Sequence, residues 1–354
     1  MNGFLMLAIV FICLVFAFLL SFLLTKKWIS IAKVRGIVGR DMNKYDKRKV
    51  ADFGGIAPVA AIIMSIFLYI FFKTFLLKSS THLIEILVLT LTLVLACIVG
   101  FTNDLLSVKT GKDREIFAEI VGKKITRGLG GWTSMLLTLP VAIPLVVINA
   151  GSDVITLLFL GRVWVGLAYP LILIPLAIVG ATNGYNLLAG YNGLESWLGI
   201  IIFFALGTMA LITGQLWLAL IAAIIIFALA GFLVFNKFPA KVFPGDSLTF
   251  SLGALIACFA ILGNMEKFAL LIFTPYIAEG ILKARSNFKA ENFGLPQKDN
   301  SLEPPSKEIR SLTHFFLKFI KKIKPSHKVY EHEVVLALCA LEIALVIIGL
   351  IIFL

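Results

Sequence analysis

Charge is scarce in this chain. Only 15% of its 354 residues are Asp, Glu, Lys or Arg, where an ordinary soluble domain carries about 25%. Hydrophobic residues make up 60%, and mean hydropathy is +0.99. A water-soluble globule needs more polar surface than this, so soluble enzymes, disordered proteins and secreted scaffolds are excluded. Cysteine is sparse too. Cys13, Cys97, Cys258 and Cys339 each sit in an apolar run, far from one another, which excludes a disulfide framework and a Cys-rich metal site. The four histidines lack ligand spacing. Gly111-Lys112 lacks the flanking glycine and Ser/Thr of a nucleotide-binding P-loop, and Gly128-Leu129-Gly130-Gly131 reads as a linker. Neither a Ser-His-Asp arrangement nor an internal repeat is visible.

What remains is long apolar runs. A membrane span takes roughly 20 mostly apolar residues. Ten runs meet or approach that length: 3–24, 55–77, 83–103, 134–150, 166–183, 193–212, 216–235, 247–263, 268–283 and 333–354. The expected architecture is therefore an all-α polytopic membrane protein with ten transmembrane helices. The whole chain, 1–354, reads as one transmembrane catalytic domain. The Thr/Val/Phe-rich stretch 151–165 is too short to span and reads as a short outer β-hairpin. The segment 284–332, between the last two helices, reads as a cytoplasmic loop subdomain.

The net charge of +12 sorts onto one side of this arrangement. Of the 32 Lys and Arg residues, 28 fall in or at the edge of the loops 25–54, 104–133, 236–246 and 284–332. The positive-inside rule puts those loops in the cytoplasm and both termini outside. The basic excess then reads as topology plus phosphate or anionic lipid, with no nucleic acid partner implied.

The dense polar motifs gather on the same side. They are Gly39-Arg40-Asp41-Met42-Asn43-Lys44-Tyr45 with Asp52-Phe53-Gly54-Gly55, Gly100-Phe101-Thr102-Asn103-Asp104, Asn183-Gly184-Tyr185-Asn186 through Tyr191-Asn192-Gly193-Leu194-Glu195, Phe243-Pro244-Gly245-Asp246-Ser247, and Lys283-Ala284-Arg285-Ser286-Asn287-Phe288-Lys289. Five motifs on one face imply one convergent site. Carboxylates and amide oxygens suit Mg²⁺ or Mn²⁺, cations pair with phosphate, and glycines let backbone approach a ligand. Together they point to phosphoryl or nucleotidyl transfer. Asp104 closes an apolar run and Asp246 opens one, so each also reads as a helix-end cap.

With these motifs the sequence resembles the polyprenyl-phosphate N-acetylhexosamine-1-phosphate transferase family. It is most similar to the archaeal and eukaryotic UDP-GlcNAc:dolichyl-phosphate GlcNAc-1-phosphotransferases. The matching pieces are Asp41-Met42-Asn43-Lys44, Gly100 to Asp104, the long Asn183-to-Glu195 motif, which is the most specific, and Val242-Phe243-Pro244-Gly245-Asp246. The resemblance implies a Mg²⁺-dependent enzyme, with Mn²⁺ as an alternative. It would transfer GlcNAc-1-phosphate from UDP-GlcNAc to a polyprenyl or dolichyl phosphate and release UMP, the first membrane step of lipid-linked oligosaccharide synthesis. By resemblance, Asp104 and Asn103 are catalytic, and Asp246 and Asn186 are metal ligands. Substrate contacts are expected from Met42, Lys44, Asp52, Asn183, Gly190, Asn192, Glu195, Arg285 and Asn287. Where the family carries Asp-Asp, this chain has Asn103-Asp104, so the first position supplies no carboxylate base. Lys109, Lys112, Lys123, Lys124 and Arg127 compete for a phosphate-binding role. The implied location is the cell membrane of an archaeon or the endoplasmic reticulum of a eukaryote, with the site on the cytoplasmic face. Oligomeric state is open, a homodimer included. A bacterial-type sister enzyme using another UDP-sugar or undecaprenyl phosphate fits less well, because Arg285-Ser286-Asn287-Phe288-Lys289 stands where that branch is rich in histidine. A non-enzymatic lipid transporter fits less well still.

Overall fold

A computed structural model of the chain describes residues 3–107, 131–152, 154–157 and 161–353. Uniform apolar runs become long helices because a backbone removed from water must satisfy its own hydrogen bonds. Helix α1 spans Gly3–Arg35, α2 Ile56–Phe71 and α3 Leu83–Ser107. After the shorter α4 (Gly131–Thr138) and α5 (Ile143–Val147) come α6 (Ile174–Leu187), α7 (Leu194–Ile212) and α8 (Leu216–Asn236). The chain continues through α9 (Asp246–Leu262), α10 (Glu266–Ile272), α11 (Thr274–Ala284), α12 (Leu312–Ile323) and α13 (Glu331–Phe353).

Among the described residues, seven helices are long and apolar enough to cross a membrane: Gly3–Arg35, Ile56–Leu76, Leu83–Leu106, Tyr169–Leu187, Leu194–Ile212, Leu216–Asn236 and Glu331–Phe353. The other three expected runs are shorter or interrupted. Residues 134–150 divide between α4, a tight turn at Leu139–Ala142 and α5, because Pro140 and Pro144 withhold backbone donors. Residues 268–283 divide at Phe273, which separates the end of α10 at Ile272 from the start of α11 at Thr274, where Pro275 occupies the first turn. Helix α9 has 17 residues, or roughly 25 Å of helix. It is the innermost element, with Ser247 through Ile261 buried without a break.

Small residues let α9 sit there. A Cβ on Gly100 of α3 would stand 2.3 Å from the Asp246 carbonyl oxygen, and one on Gly253 of α9 would stand 2.4 Å from the Ala181 carbonyl of α6. The three helices therefore meet backbone to backbone, and α9 carries its N-terminus between the ends of α3 and α6. Gly100→Ala is expected to cost roughly 1–3 kcal/mol of stability by overpacking and to shift the first turn of α9. Thermal unfolding in detergent measures it, and an unchanged midpoint would contradict the close contact.

Short strands trim the helix ends. Strands β1 (Val38–Arg40) and β2 (Lys49–Ala51) pair antiparallel, a hairpin within the 25–54 segment that hydropathy alone does not reveal. Strands β3 (Val154–Leu157) and β4 (Gly161–Trp164) pair antiparallel, as do β5 (Leu295–Pro296) and β6 (Leu302–Glu303). The end of β2 is laced to the loop before α9. Phe243 N–H donates to the Ala51 carbonyl at 2.8 Å, Gly54 N–H to the Phe243 carbonyl at 2.9 Å, and Gly55 N–H to the Pro244 carbonyl at 2.7 Å.

Candidate active site

Three of the five polar motifs line one cavity of about 400 Å³, and a fourth, Asn103-Asp104, touches it from behind through Asp246. The β1–β2 hairpin contributes Arg40, Asp41, Met42 and Asp52. The end of α6 and the loop after it contribute Asn186, Gly190 and Glu195. The start of α9, with the loop before it, contributes Phe243, Asp246 and Thr249, and Phe293 closes one side. A second cavity of about 380 Å³ shares Met42 and Phe293 with the first and carries Lys47, Lys289 and Arg310.

Asp246 occupies the centre of the polar wall. Its carboxylate accepts from the Asn103 amide, and Asn186 is its second polar partner. The Oδ1 of Asn186 accepts from the Thr249 hydroxyl at 2.9 Å. The Asn103 amide donates to Asp246, where a carboxylate would face it with like charge. Asp104 stands directly behind the cavity wall, against Gly245. It does not line the cavity. Its carboxylate accepts the backbone N–H groups of Asp246 at 2.7 Å and Ser247 at 3.0 Å. It thus caps α9 from the end of α3 and fixes the direction in which Asp246 points.

Asp52 lines the cavity with Asp246, and its Oδ1 accepts from Phe53 N–H at 2.9 Å. Burial, and less strongly the negative charge of Asp246, push its carboxyl from the ordinary 3.8 up to about 6. The folded chain therefore holds this proton more tightly than the unfolded chain. The stability this brings is complete below pH 3.8 and is lost as pH rises through about 6. Asp52→Asn is expected to stabilise the substrate-free protein at pH 8 by roughly 1–3 kcal/mol, with the gain vanishing toward pH 4. Unfolding midpoints across that range measure it, and a gain independent of pH would contradict the shift.

The remaining expected residues divide. Met42, Gly190 and Glu195 line the cavity, and Glu195 accepts from Gly190 N–H at 2.6 Å. Lys44 and Asn192 lie behind the wall, in a buried cluster around Glu331. Lys44 pairs with the Glu331 carboxylate. Asn192 donates to it through its backbone at 2.8 Å and donates its side-chain amide to Asp41 at 3.1 Å. Asn183 points along the helix bundle to Thr138 at 3.0 Å and the Val179 carbonyl at 2.9 Å. Arg285 and Asn287 follow the end of α11 on the surface and line neither cavity. Lys109, Lys112, Lys123, Lys124 and Arg127 lie outside the described residues. Glu279, one turn from the end of α11, does not reach the cavity. It accepts from Leu312 N–H at 2.7 Å and holds the start of α12. Sequence reasoning missed Glu331, Thr249 and Phe293. Glu331 had a readable signal, a carboxylate opening an apolar run directly after a basic loop.

A small hard cation fits the donor chemistry. Asp246, Asn186, Asn103 and Thr249 each carry a hard oxygen atom, and the buried Oδ1 of Asn103 has no hydrogen-bond partner. Among the described residues no three His, Cys, Asp or Glu side chains converge on a metal position. A Mg²⁺ here would therefore keep few carboxylates and draw the rest of its shell from phosphate oxygens and water, its usual habit.

The chain is similar in sequence to known proteins. The model of glycosyl transferase family 4 matches residues 86–264, from α3 to the end of α9. A protein of Saccharolobus solfataricus is 32% identical over 95% of this chain and 94% of its own length. One of Sulfolobus acidocaldarius is 28% identical over 97% and 95%. Both are provisionally named UDP-N-acetylglucosamine–dolichyl-phosphate N-acetylglucosaminephosphotransferase. A phospho-N-acetylmuramoyl-pentapeptide-transferase of Streptococcus thermophilus is 30% identical over 74% of this chain and 75% of its own. With a family model across half its length and a relative at 32% identity from end to end, the chain belongs to glycosyl transferase family 4.

Proposed function

We propose that the protein transfers GlcNAc-1-phosphate from UDP-GlcNAc to dolichyl phosphate or a related polyprenyl phosphate, giving the lipid-diphosphate sugar and UMP. The observation that carries this reading is the cavity itself. It brings Asp246 and Asn186 together with Arg40, Met42 and Gly190, at the ends of helices apolar enough to cross a membrane. One substrate is aqueous and the other is a lipid, so a site at helix ends serves both.

An oxygen of the lipid phosphate attacks the β-phosphorus of UDP-GlcNAc. The bond from that phosphorus to the bridging oxygen breaks, and UMP leaves with the oxygen and its electron pair. A phosphate monoester is mostly ionised near neutral pH, so the nucleophile needs no strong base. Mg²⁺ held by Asp246 and Asn186 would neutralise charge on the diphosphate. Arg40 supplies a further positive charge at the cavity wall. Asp104 acts as a positioning residue through its cap on α9, and the Asn103 amide keeps the Asp246 carboxylate oriented. Met42, Gly190 and Phe293 shape the wall for the nucleotide.

In this reading the runs 134–150, 247–263 and 268–283 complete ten spans, 151–165 forms the outer hairpin, and the cavity opens to the cytoplasm. UMP release with a panel of UDP-sugars and either dolichyl or undecaprenyl phosphate tests the substrates. UDP-GlcNAc with dolichyl phosphate is expected to give the highest turnover. Preference for a UDP-muramoyl-pentapeptide would assign the chain to the bacterial-type reaction instead.

A further inference from the structure

Helix α12, Leu312–Ile323, has the sequence LTHFFLKFIKKI. It carries two apolar faces where packing needs only one. His314 and Leu317 are buried against the fold, and α12 lies against α11 and α13. A second stripe points away. Phe315 is 42% exposed, Phe319 49% and Ile323 63%. Their four-residue spacing puts them along one side of the helix, and Phe315 and Phe319 stack with ring centroids 6.0 Å apart. Lysines border this stripe. Lys322 is exposed beside it, and Lys318 lies one turn earlier on the same border.

Both ends of α12 are tied to neighbouring helices. At its start, Glu279 of α11 accepts from Leu312 N–H at 2.7 Å and from the Ser311 hydroxyl at 3.1 Å. At its end, Lys324 pairs with Glu333 at 2.6 Å in the first turn of α13. That helix is long and apolar enough to cross a membrane. The tie to Glu333 holds the end of α12 at the level where α13 begins, which is where a bilayer surface meets that span.

We infer that α12 lies in the membrane interface, with Phe315, Phe319 and Ile323 inserted among the acyl chains and Lys318 and Lys322 on anionic lipid headgroups. An apolar stripe with a cationic border is the chemistry of an interfacial helix. The occupant is lipid because α13, to which α12 is tied at Glu333, is long and apolar enough to cross a membrane, and the neighbouring α11 also exposes Ile277 and Ile281. The inference stands independently of the reaction proposed above.

The test uses the full-length chain in single-copy nanodiscs. An environment-sensitive fluorophore is attached at Phe319→Cys, with Cys97→Ser removing the one cysteine that is not buried. A second preparation carries the label at Lys298→Cys in the exposed turn between β5 and β6. In phosphatidylcholine, lipid-borne quenchers are expected to quench the label at 319 several-fold more than the label at 298. Added phosphatidylglycerol is expected to increase quenching at 319, and Lys318→Glu with Lys322→Glu to remove that increase. Equal quenching at both positions would overturn insertion. A phosphatidylglycerol effect that survives the double substitution would overturn the headgroup contact. Protection at 319 that arises only when two copies share a disc would assign the stripe to a second copy of the chain instead.

Discussion

Asp246→Asn is expected to lower UMP release on the order of a thousandfold, as loss of a central electrostatic group in an enclosed site does, while the protein stays folded. The substitution is nearly isosteric. The α9 cap survives it, because Asp104 bonds to backbone N–H groups of Asp246 and Ser247 and not to the Asp246 side chain. What disappears is the negative charge that the Asn103 and Asn186 amides orient. With it goes the only carboxylate flanked by both amides, and so the best anchor for a cation. Turnover and its Mg²⁺ dependence, measured beside the unfolding midpoint, check the expectation. Full activity with unchanged Mg²⁺ response would remove Asp246 from the site.

Glu331→Leu is expected to act on the fold rather than the chemistry. Glu331 is buried and joins three parts of the chain. It pairs with Lys44 after β1, accepts Asn192 N–H before α7, and opens α13 itself. Removing it leaves the Lys44 ammonium buried without an anion, a loss of about 3–5 kcal/mol. The Lys44 ammonium also lies 4.3 Å from the centre of the Phe238 ring, which cannot replace a carboxylate. Adding Lys44→Met to Glu331→Leu is expected to recover a large part of the loss, since neither charge then stays buried alone. Unfolding midpoints of the two single variants and the double variant measure the coupling. Additive losses would show that the pair does not act as a unit.

These two residues mark what the sequence could and could not say. Asp246 was legible because its meaning is local. It follows Pro244-Gly245 and begins a helix, which places it at the cavity wall whether it is read as a cap or as a ligand. Lys44 reads locally as a substrate cation, yet its partner lies 287 residues away and turns it inward. Asn192 is drawn into the same cluster by Glu331, 139 residues away. Asp104 is intermediate. Its position at a helix end gave both a catalytic and a capping reading, and only the contact across Gly100 shows that it caps α9 while its neighbour Asn103 reaches Asp246. The long helices followed directly from uniform hydropathy. The interrupted runs did not, because an average over 268–283 is blind to the geometry that Pro275 imposes at Phe273. The hairpin 38–51 was hidden because its backbone pairing leaves no apolar signal.

The reaction itself is decided by where the β-phosphate goes. UDP-GlcNAc labelled separately in the β-phosphate and in the sugar, incubated with dolichyl phosphate and the purified protein, gives two lipid extracts to compare. The account predicts equal transfer of both labels into lipid and one UMP for each lipid formed. Sugar label entering the lipid without the β-phosphate label, with UDP as the released nucleotide, would contradict it.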